Sequence, residues 1–408
     1  MKLAPTPESF NSDLHRPRVA AILGLSLGVT FGICFLTGLI SHTLQRPPSW
    51  ITWPARPAGF YRVSQGLHIA TGTASIPLLF AKLWSVYPHF WTRPVVRNVT
   101  HFAERVTLLP LVGGSLFMLF TGAINVARWY RPMPFFFTVA HYWVAWITIG
   151  SLIIHVGAKV TTIRRSLSRR SPDLNEAPDA PEDSDAPEDS DANEGEALVG
   201  SRSQSAGLKG GLGRRGFIAT AFATAAGIVV TTSGQTLRPL AGIGLLAPRL
   251  PDVGPQGLPV NRSAVEAGVT EAIANPAWQL VVDGRVDTTL RLTIGEVQAM
   301  AQHSATLPIA CVEGWSASAS WTGVRIRDVL AAAGAAPDAE AMVYSVERDG
   351  LYRQSRLNRL QAADRDTLLA LKLNGETLDD DHGYPMRLIG PNRPGVMCTK
   401  WVTRLEVL

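Results

Sequence analysis

The chain has 408 residues, a formal net charge of +5 and 46% apolar residues, a length that allows two or three domains. Four apolar runs of about twenty residues, the length that crosses a bilayer, fall in the first 160 residues. Basic residues sit beside those runs and acids gather in one later stretch, a membrane pattern and not a nucleic-acid one, and three cysteines are too few for a disulfide framework.

The first span is expected at about Val19–Ile40, after a polar segment carrying Lys2, Arg16 and Arg18. It is long enough to cross and stay, so no cleavable leader is expected. Further spans are expected at about Tyr61–Leu83, Val106–Val126 and Phe135–Val160. Arg164, Arg165, Arg169 and Arg170 follow the fourth, which with the basic N-terminus places both ends in the cytoplasm. Residues 1–165 are therefore read as an all-α, four-helix transmembrane domain.

That domain carries a weak internal repeat. The first span ends Phe35-Leu36-Thr37-Gly38-Leu39-Ile40 and the third Leu119-Phe120-Thr121-Gly122-Ala123-Ile124, and spans two and four hold His68 and His141. Duplication would set these histidines at one depth, able to clamp a haem iron from two sides. His155 lies fourteen residues after His141, on the same helix face and about 21 Å along the axis, which suits a second haem. Its partner is left open between His15 and His101. Ionisable groups inside a span are costly and usually functional, and imidazole is a usual haem ligand; packing histidines are the plain alternative. The helix count, histidine placement and Thr-Gly helix ends resemble the four-helix cytochrome b subunits of quinone-linked oxidoreductases. That resemblance implies His68 with His141 at an outer haem b, and favours His15 with His155 at an inner one.

Residues 166–213 change character. Asp179-Ala180-Pro181-Glu182-Asp183-Ser184 repeats at once as 185–190, and such a composition cannot bury a core, so a disordered acidic linker is expected. Then Gly213-Arg214-Arg215-Gly216-Phe217-Ile218 precedes a small, mildly apolar run to Ser233. This resembles a twin-arginine export signal, the alternative being an ordinary fifth span. Without a convincing cleavage site, residues 214–248 are expected to remain as an anchor helix, with residues 249–408 outside the cytoplasmic membrane.

The last region reads as one α+β domain. Strands are expected at Trp278–Val286, turning at Asp283-Gly284, and at 342–346, 352–353, 387–389 and 401–407, with short helices at 294–300 and 324–334. Cys311 stands alone in Pro308-Ile309-Ala310-Cys311-Val312-Glu313-Gly314-Trp315-Ser316. A nucleophilic role would need His303 or His382 as a base; a soft thiolate on a metal is the better reading.

Cys311 to Ser316, Trp321-Thr322-Gly323, Asp381-His382-Gly383-Tyr384-Pro385-Met386-Arg387-Leu388 and Lys400-Trp401-Val402 together resemble the sulfite oxidase superfamily of molybdenum–molybdopterin enzymes. The resemblance implies that Cys311 ligates molybdenum and that His382 and Arg387 contact the pterin and its phosphate, a group that prefers bidentate arginine. It further implies that Lys400 and Trp401 face the cofactor, with Asn392 and Arg393 as added phosphate contacts. Glu313 is a candidate proton donor. Sulfite oxidases carry an arginine just after the cysteine, where this chain has Val312-Glu313-Gly314-Trp315. Their immunoglobulin-like domain is expected to be missing, since the chain stops at Leu408. The pattern is closer to the bacterial, membrane-partnered branch that includes the periplasmic methionine sulfoxide reductase.

The expectation is a membrane-bound molybdoenzyme passing electrons between a quinone pool, or another membrane donor, and an extracytoplasmic substrate through one or two b-type haems. Reduction of a small-molecule or protein S-oxide or N-oxide is preferred. The alternatives are oxidation of the substrate with electrons passed to quinone, and a haem electron-transfer or redox-sensing protein without catalysis of its own.

Overall fold

Five helices take up the apolar runs in a computed structural model that describes residues 12–88, 99–133, 135–168, 213–350 and 352–408. They are α1 (Pro17–Gln45), α2 (Phe60–Val86), α3 (Val99–Val126), α4 (Phe137–Leu167) and α5 (Arg214–Ser233), each with a stretch long and apolar enough to cross a membrane. Apolar runs of this length fold as helices because lipid offers backbone groups no partner, so each must bond within its own segment. Pro17 opens α1 at its first turn, where a missing N–H is harmless. Helix α4 outlasts its apolar run because Arg164 and Arg165 sit in its last turn, where cations favour the carbonyl end.

Helix α1 lies along α2, α3 along α4, α1 also meets α4, and α5 rests on α2. Ala221 and Ala225 of α5 pack with Leu23, Leu27, Leu78 and Leu79, small side chains letting the helices approach closely. The acidic repeat at 179–190 lies outside the described residues.

The C-terminal part is rich in sheet. Short helices α6 (Ala264–Ala267) and α7 (Thr270–Ile273) precede β1 (Gln279–Gly284), β2 (Leu290–Thr293), α8 (Ile294–Ala299), β3 (His303–Ala310), β4 (Ser316–Arg325), α9 (Ile326–Ala332), β5 (Ala341–Ser345), β6 (Gln354–Leu357), α10 (Arg359–Ala363), β7 (Leu368–Leu373), β8 (Glu376–Thr377), β9 (Arg387–Ile389) and β10 (Val402–Val407). One sheet runs β2-β1-β10-β5-β6; the other runs β3-β4-β7-β8, with β9 also on β7. Only β1 and β10 pair in parallel among these strands. Leu280, Val282, Val343 and Leu405 of the first sheet and Leu369, Leu371 and Leu388 of the second share one core. Capping boxes at Ser263, Thr293 and Asn358 start α6, α8 and α10.

Two boundaries differ from expectation for a packing reason. The helix expected from 324 begins at Ile326, because Val324 and Arg325 still pair with Leu369 and Leu368 of β7. The strand expected at 352–353 begins at Gln354, in register with Tyr344.

Candidate active site

Strands β3 and β4 pair from His303 with Gly323 to Ala310 with Ser316, which leaves 311–315 as their connection. Its shape is fixed by the Cys311 N–H donating to the Trp315 carbonyl at 2.9 Å and the Gly314 N–H donating to the Cys311 carbonyl at 3.1 Å. Gly314 has φ +100, and a Cβ there would lie 2.7 Å from Cγ1 of Ile69 in α2. The glycine is needed both for its left-handed backbone and because a membrane-length helix passes against it.

Cys311 is 2% exposed. Its sulfur accepts a hydrogen bond from Asn261 Nδ2 at 2.6 Å, while Asn261 Oδ1 accepts from Trp315 Nε1 at 2.9 Å. The indole can only donate, so it turns the amide NH₂ toward sulfur. Burial, and then the charge of Glu313, push the thiol up to about 12. It stays protonated at neutral pH until a metal displaces the proton. Asn261 was not foreseen: its contact is fifty residues distant and no local pattern marks it.

Glu313 is buried. Its Oε1 accepts from the Tyr130 hydroxyl at 3.1 Å and lies 3.3 Å from Arg128 Nε, and its Oε2 is 3.5 Å from Arg249 Nε. Arg128 also donates to the Asn261 carbonyl at 2.8 Å. Arg128 and Tyr130 belong to the connection between α3 and α4 and are exposed, so the helical part walls this site where it meets solvent. Burial, and next the neighbouring Arg128, lower the basicity of Arg249. Among the described residues its buried Nε and Nη2, and Glu313 Oε2, have no hydrogen-bond partner. The cationic groups absent after Cys311 in sequence are thus brought to it from two distant segments.

The second cluster lies at the other motifs. His382 is 1% exposed, with Nε2 donating to the Pro255 carbonyl at 2.8 Å; burial, then Arg387, hold it down at about 4. Arg387 is buried and donates to the carbonyls of His382 and Cys398, and among the described residues its Nε has no hydrogen-bond partner. Lys400 donates to the carbonyls of Arg262 and Asp381 at 2.8 and 2.6 Å, and burial, then Arg387, push it down to about 7. Trp401 Nε1 donates to the Asp380 carbonyl at 2.8 Å. Between Arg387 and Lys400 sits Gly383 with φ +111, where a Cβ would come within 3.1 Å of both side chains.

Asn392 and Arg393 are occupied differently from the expected phosphate contacts. Pro394 bridges to Ala310, which brings this loop beside Cys311. Asn392 Nδ2 donates to the Pro54 carbonyl at 2.8 Å and its Oδ1 accepts from the Tyr61 N–H at 3.1 Å, so its amide ties the sheet domain to the start of α2. Arg393 donates to Gln361 Oε1 and to the Arg356 and Met397 carbonyls, holding its own loop.

In the helical part, His68 and His141 come together with ring centres 6.4 Å apart and planes at 67°. His68 Nδ1 donates to the Cys34 carbonyl at 2.8 Å. His141 Nδ1 lies 2.8 Å from Thr121 Oγ1, whose own hydrogen goes to the Phe117 carbonyl, so the imidazole is the donor. Among the described residues neither Nε2 has a hydrogen-bond partner. A Cβ on Gly38 would lie 2.9 Å from the His68 ring, and one on Gly122 would lie 3.9 Å from that of His141, which matches the repeated Thr-Gly helix ends. A cavity of about 350 Å³ is lined by both histidines, both glycines and Val312. His155 lies on α4, half-buried. His15 ends a 3-10 turn, its Nδ1 3.2 Å from the Ser85 carbonyl. His101 is on α3 with its side chain outside the described residues.

Residues 267–408 match the family described as oxidoreductase molybdopterin binding domain. The chain is similar to an uncharacterized oxidoreductase, YuiH, of Bacillus subtilis (strain 168), at 32% identity over 130 residues, 32% of this chain and 64% of that one. It is similar to a proposed protein-methionine-sulfoxide reductase subunit, YedZ1, of Azospira oryzae, at 32% identity over 131 residues, 32% and 49% of the two chains. It is also similar to the mitochondrial sulfite oxidase of Drosophila melanogaster, at 30% identity over 162 residues, 33% and 28% of the two chains. The chain spans less than two thirds of each of these relatives.

The residues fit such a cofactor. Arg387 is a buried cation whose hydrogen bonds go to carbonyls, and the half-buried Lys400 beside it also donates to carbonyls. Burying charge without an opposite partner is costly, and an anionic phosphate beside Gly383 would relieve it. Cys311 offers a soft sulfur at the neighbouring loop. Residues 267–408 are therefore an oxidoreductase domain of the molybdopterin-binding kind.

Proposed function

We propose that this chain is a membrane-bound molybdopterin oxidoreductase that draws electrons from a quinol through b-type haem and reduces an S-oxide or N-oxide outside the cytoplasmic membrane. The observation that carries the reading is the cavity that reaches from the His68–His141 pair to Val312, the residue bonded to Cys311. The two rings stand 6.4 Å apart between centres, and His68 and His141 would hold the haem iron between them, imidazole being a usual ligand of that metal. Both Nδ1 atoms are held by oxygen acceptors, which leaves Nε2 as the metal-facing lone pair. His155, with His15 or His101, is the proposed inner pair. Arg214-Arg215 ahead of α5, and the basic end of α4, support the sheet domain lying outside.

When bound, haem supplies one-electron transfer and the molybdenum centre two-electron oxygen-atom exchange. The protein's own groups do the rest. Cys311 anchors the metal, and Asn261 holds its sulfur in place. Arg128, Arg249 and Tyr130 are donors around the Glu313 carboxylate, suited to holding the oxygen of the substrate. Glu313 stands where a proton must arrive. Two electrons and two protons convert an S-oxide to a sulfide and water, and one quinol oxidised to quinone supplies both electrons. The similarity to the Azospira protein, named as a protein-methionine-sulfoxide reductase subunit, supports an S-oxide. The purified protein is expected to show b-type haem bands that reoxidise when methionine sulfoxide is added. Cys311→Ser is expected to abolish that reoxidation and leave the bands intact. Absence of haem, or haem indifferent to S-oxides and N-oxides, sinks the proposal.

A further inference from the structure

We infer that the Val312 carbonyl, gripped by Gln65 and Asn125, is the junction at which electrons cross between the helical part and the sheet domain. The inference rests on the haem reading above and assigns the crossing to named side chains. Gln65 Nε2 and Asn125 Nδ2 both donate to this one carbonyl, each at 3.1 Å. A carbonyl has two lone pairs, and both are used. Gln65 is 4% exposed and Asn125 6%, so water does not compete for these bonds.

The positions of the two amides give the junction its meaning. Gln65 lies one turn before His68 on α2, and Asn125 lies one turn after Gly122, the glycine opposite His141. Gln65, Asn125 and Val312 line the same cavity as the two histidines. From Val312 the path to the Cys311 sulfur is covalent. An electron leaving the histidine cavity thus meets packed atoms and bonds throughout, and a continuous path couples two centres better than a gap does.

The grip is also more than docking requires. The two parts are joined elsewhere by Asn392 to Pro54 and Tyr61, by Asn358 to the Trp53 carbonyl, and by Arg56 to Asp364. Asn125 Oδ1 lies 3.2 Å from the Tyr130 hydroxyl, which shares its one proton between this amide oxygen and Glu313 Oε1, while the Asn125 NH₂ faces Val312. Gln65 and Asn125 are positioning residues in this account. Electrons cross singly; two crossings, with two protons from solvent, match one quinol oxidised and one S-oxide reduced to sulfide and water.

The test is the double variant Gln65→Met, Asn125→Leu in the full chain, which keeps side-chain size and removes both donors. Three quantities are expected within twofold of wild type: the haem spectrum, the molybdenum content, and methionine sulfoxide reduction driven by reduced methyl viologen from the aqueous side. Haem reoxidation after stopped-flow mixing with methionine sulfoxide is expected to slow at least tenfold. In cofactor-free protein, deuterium uptake across 311–316 is expected to rise. Unchanged reoxidation, or viologen-driven turnover that falls as far as reoxidation does, would overturn the junction. A wild-type haem that neither S-oxides nor N-oxides reoxidise overturns the functional reading, and the junction with it.

Discussion

His382 shows how one buried residue can tie stability to pH. Burial, then Arg387, hold its imidazole at about 4, against an ordinary value of 6.5. Between those values the unfolded chain takes up a proton that the folded domain refuses. The contribution is complete above pH 6.5 and is lost as the pH falls toward 4, by on the order of 3 kcal/mol. His382→Gln, neutral throughout, is expected to flatten that acid limb in a thermal-unfolding series of cofactor-free protein between pH 7 and 4. Cys311 shows the complementary effect: the same burial that keeps it a neutral thiol makes it a ligand only for a cation able to displace its proton.

At the scale of the helices, the repeated Thr-Gly ends do similar but unequal work. Thr121 accepts from His141 Nδ1 at 2.8 Å, whereas Thr37 lies 3.5 Å from His68 Nδ1 and the Cys34 carbonyl takes the hydrogen bond. The glycines differ in the same way, since an added methyl meets the His68 ring at 2.9 Å and the His141 ring at 3.9 Å. Gly38→Ala is therefore expected to displace His68 and lower the haem-to-protein ratio severalfold. Gly122→Ala falls at ordinary van der Waals distance and is expected to leave the ratio unchanged. Haem extraction against protein concentration measures both.

For the whole molecule, the sheet domain is seated on the ends of α1, α2 and α3 by buried amides and by a rim of exposed charge. Arg56 is 47% exposed on its side chain where it pairs with Asp364 and Asp366, and such pairs contribute about 1 kcal/mol at most. Asn392 is buried and satisfies two backbone groups of the helical part; leaving both unpaired costs about 1–3 kcal/mol each. Asn392→Leu is expected to raise deuterium uptake at 54–62 while leaving molybdopterin content unchanged. A matching loss of cofactor would restore the phosphate contact expected from the sequence. Arg56→Ala is expected to change neither.

The residues alone determined the helices and the motifs. An apolar run of membrane length has one way to satisfy its backbone, within itself, so α1 to α5 fall where hydropathy places them. The order of Cys311, His382, Arg387 and Lys400-Trp401 carries the family resemblance in local strings, and the Thr-Gly repeat pointed to the pairing of His68 with His141, whose rings the fold brings together. Folding alone decided what faces Cys311. Asn261, Arg128, Tyr130 and Arg249 converge there from segments with no local signature, because side-chain convergence is set by which elements pack together and not by spacing along the chain. For the same reason Asn392 turned out to tie the two parts together. The absence of arginine after Cys311, a feature of sequence, did not mean the absence of guanidinium near it in space.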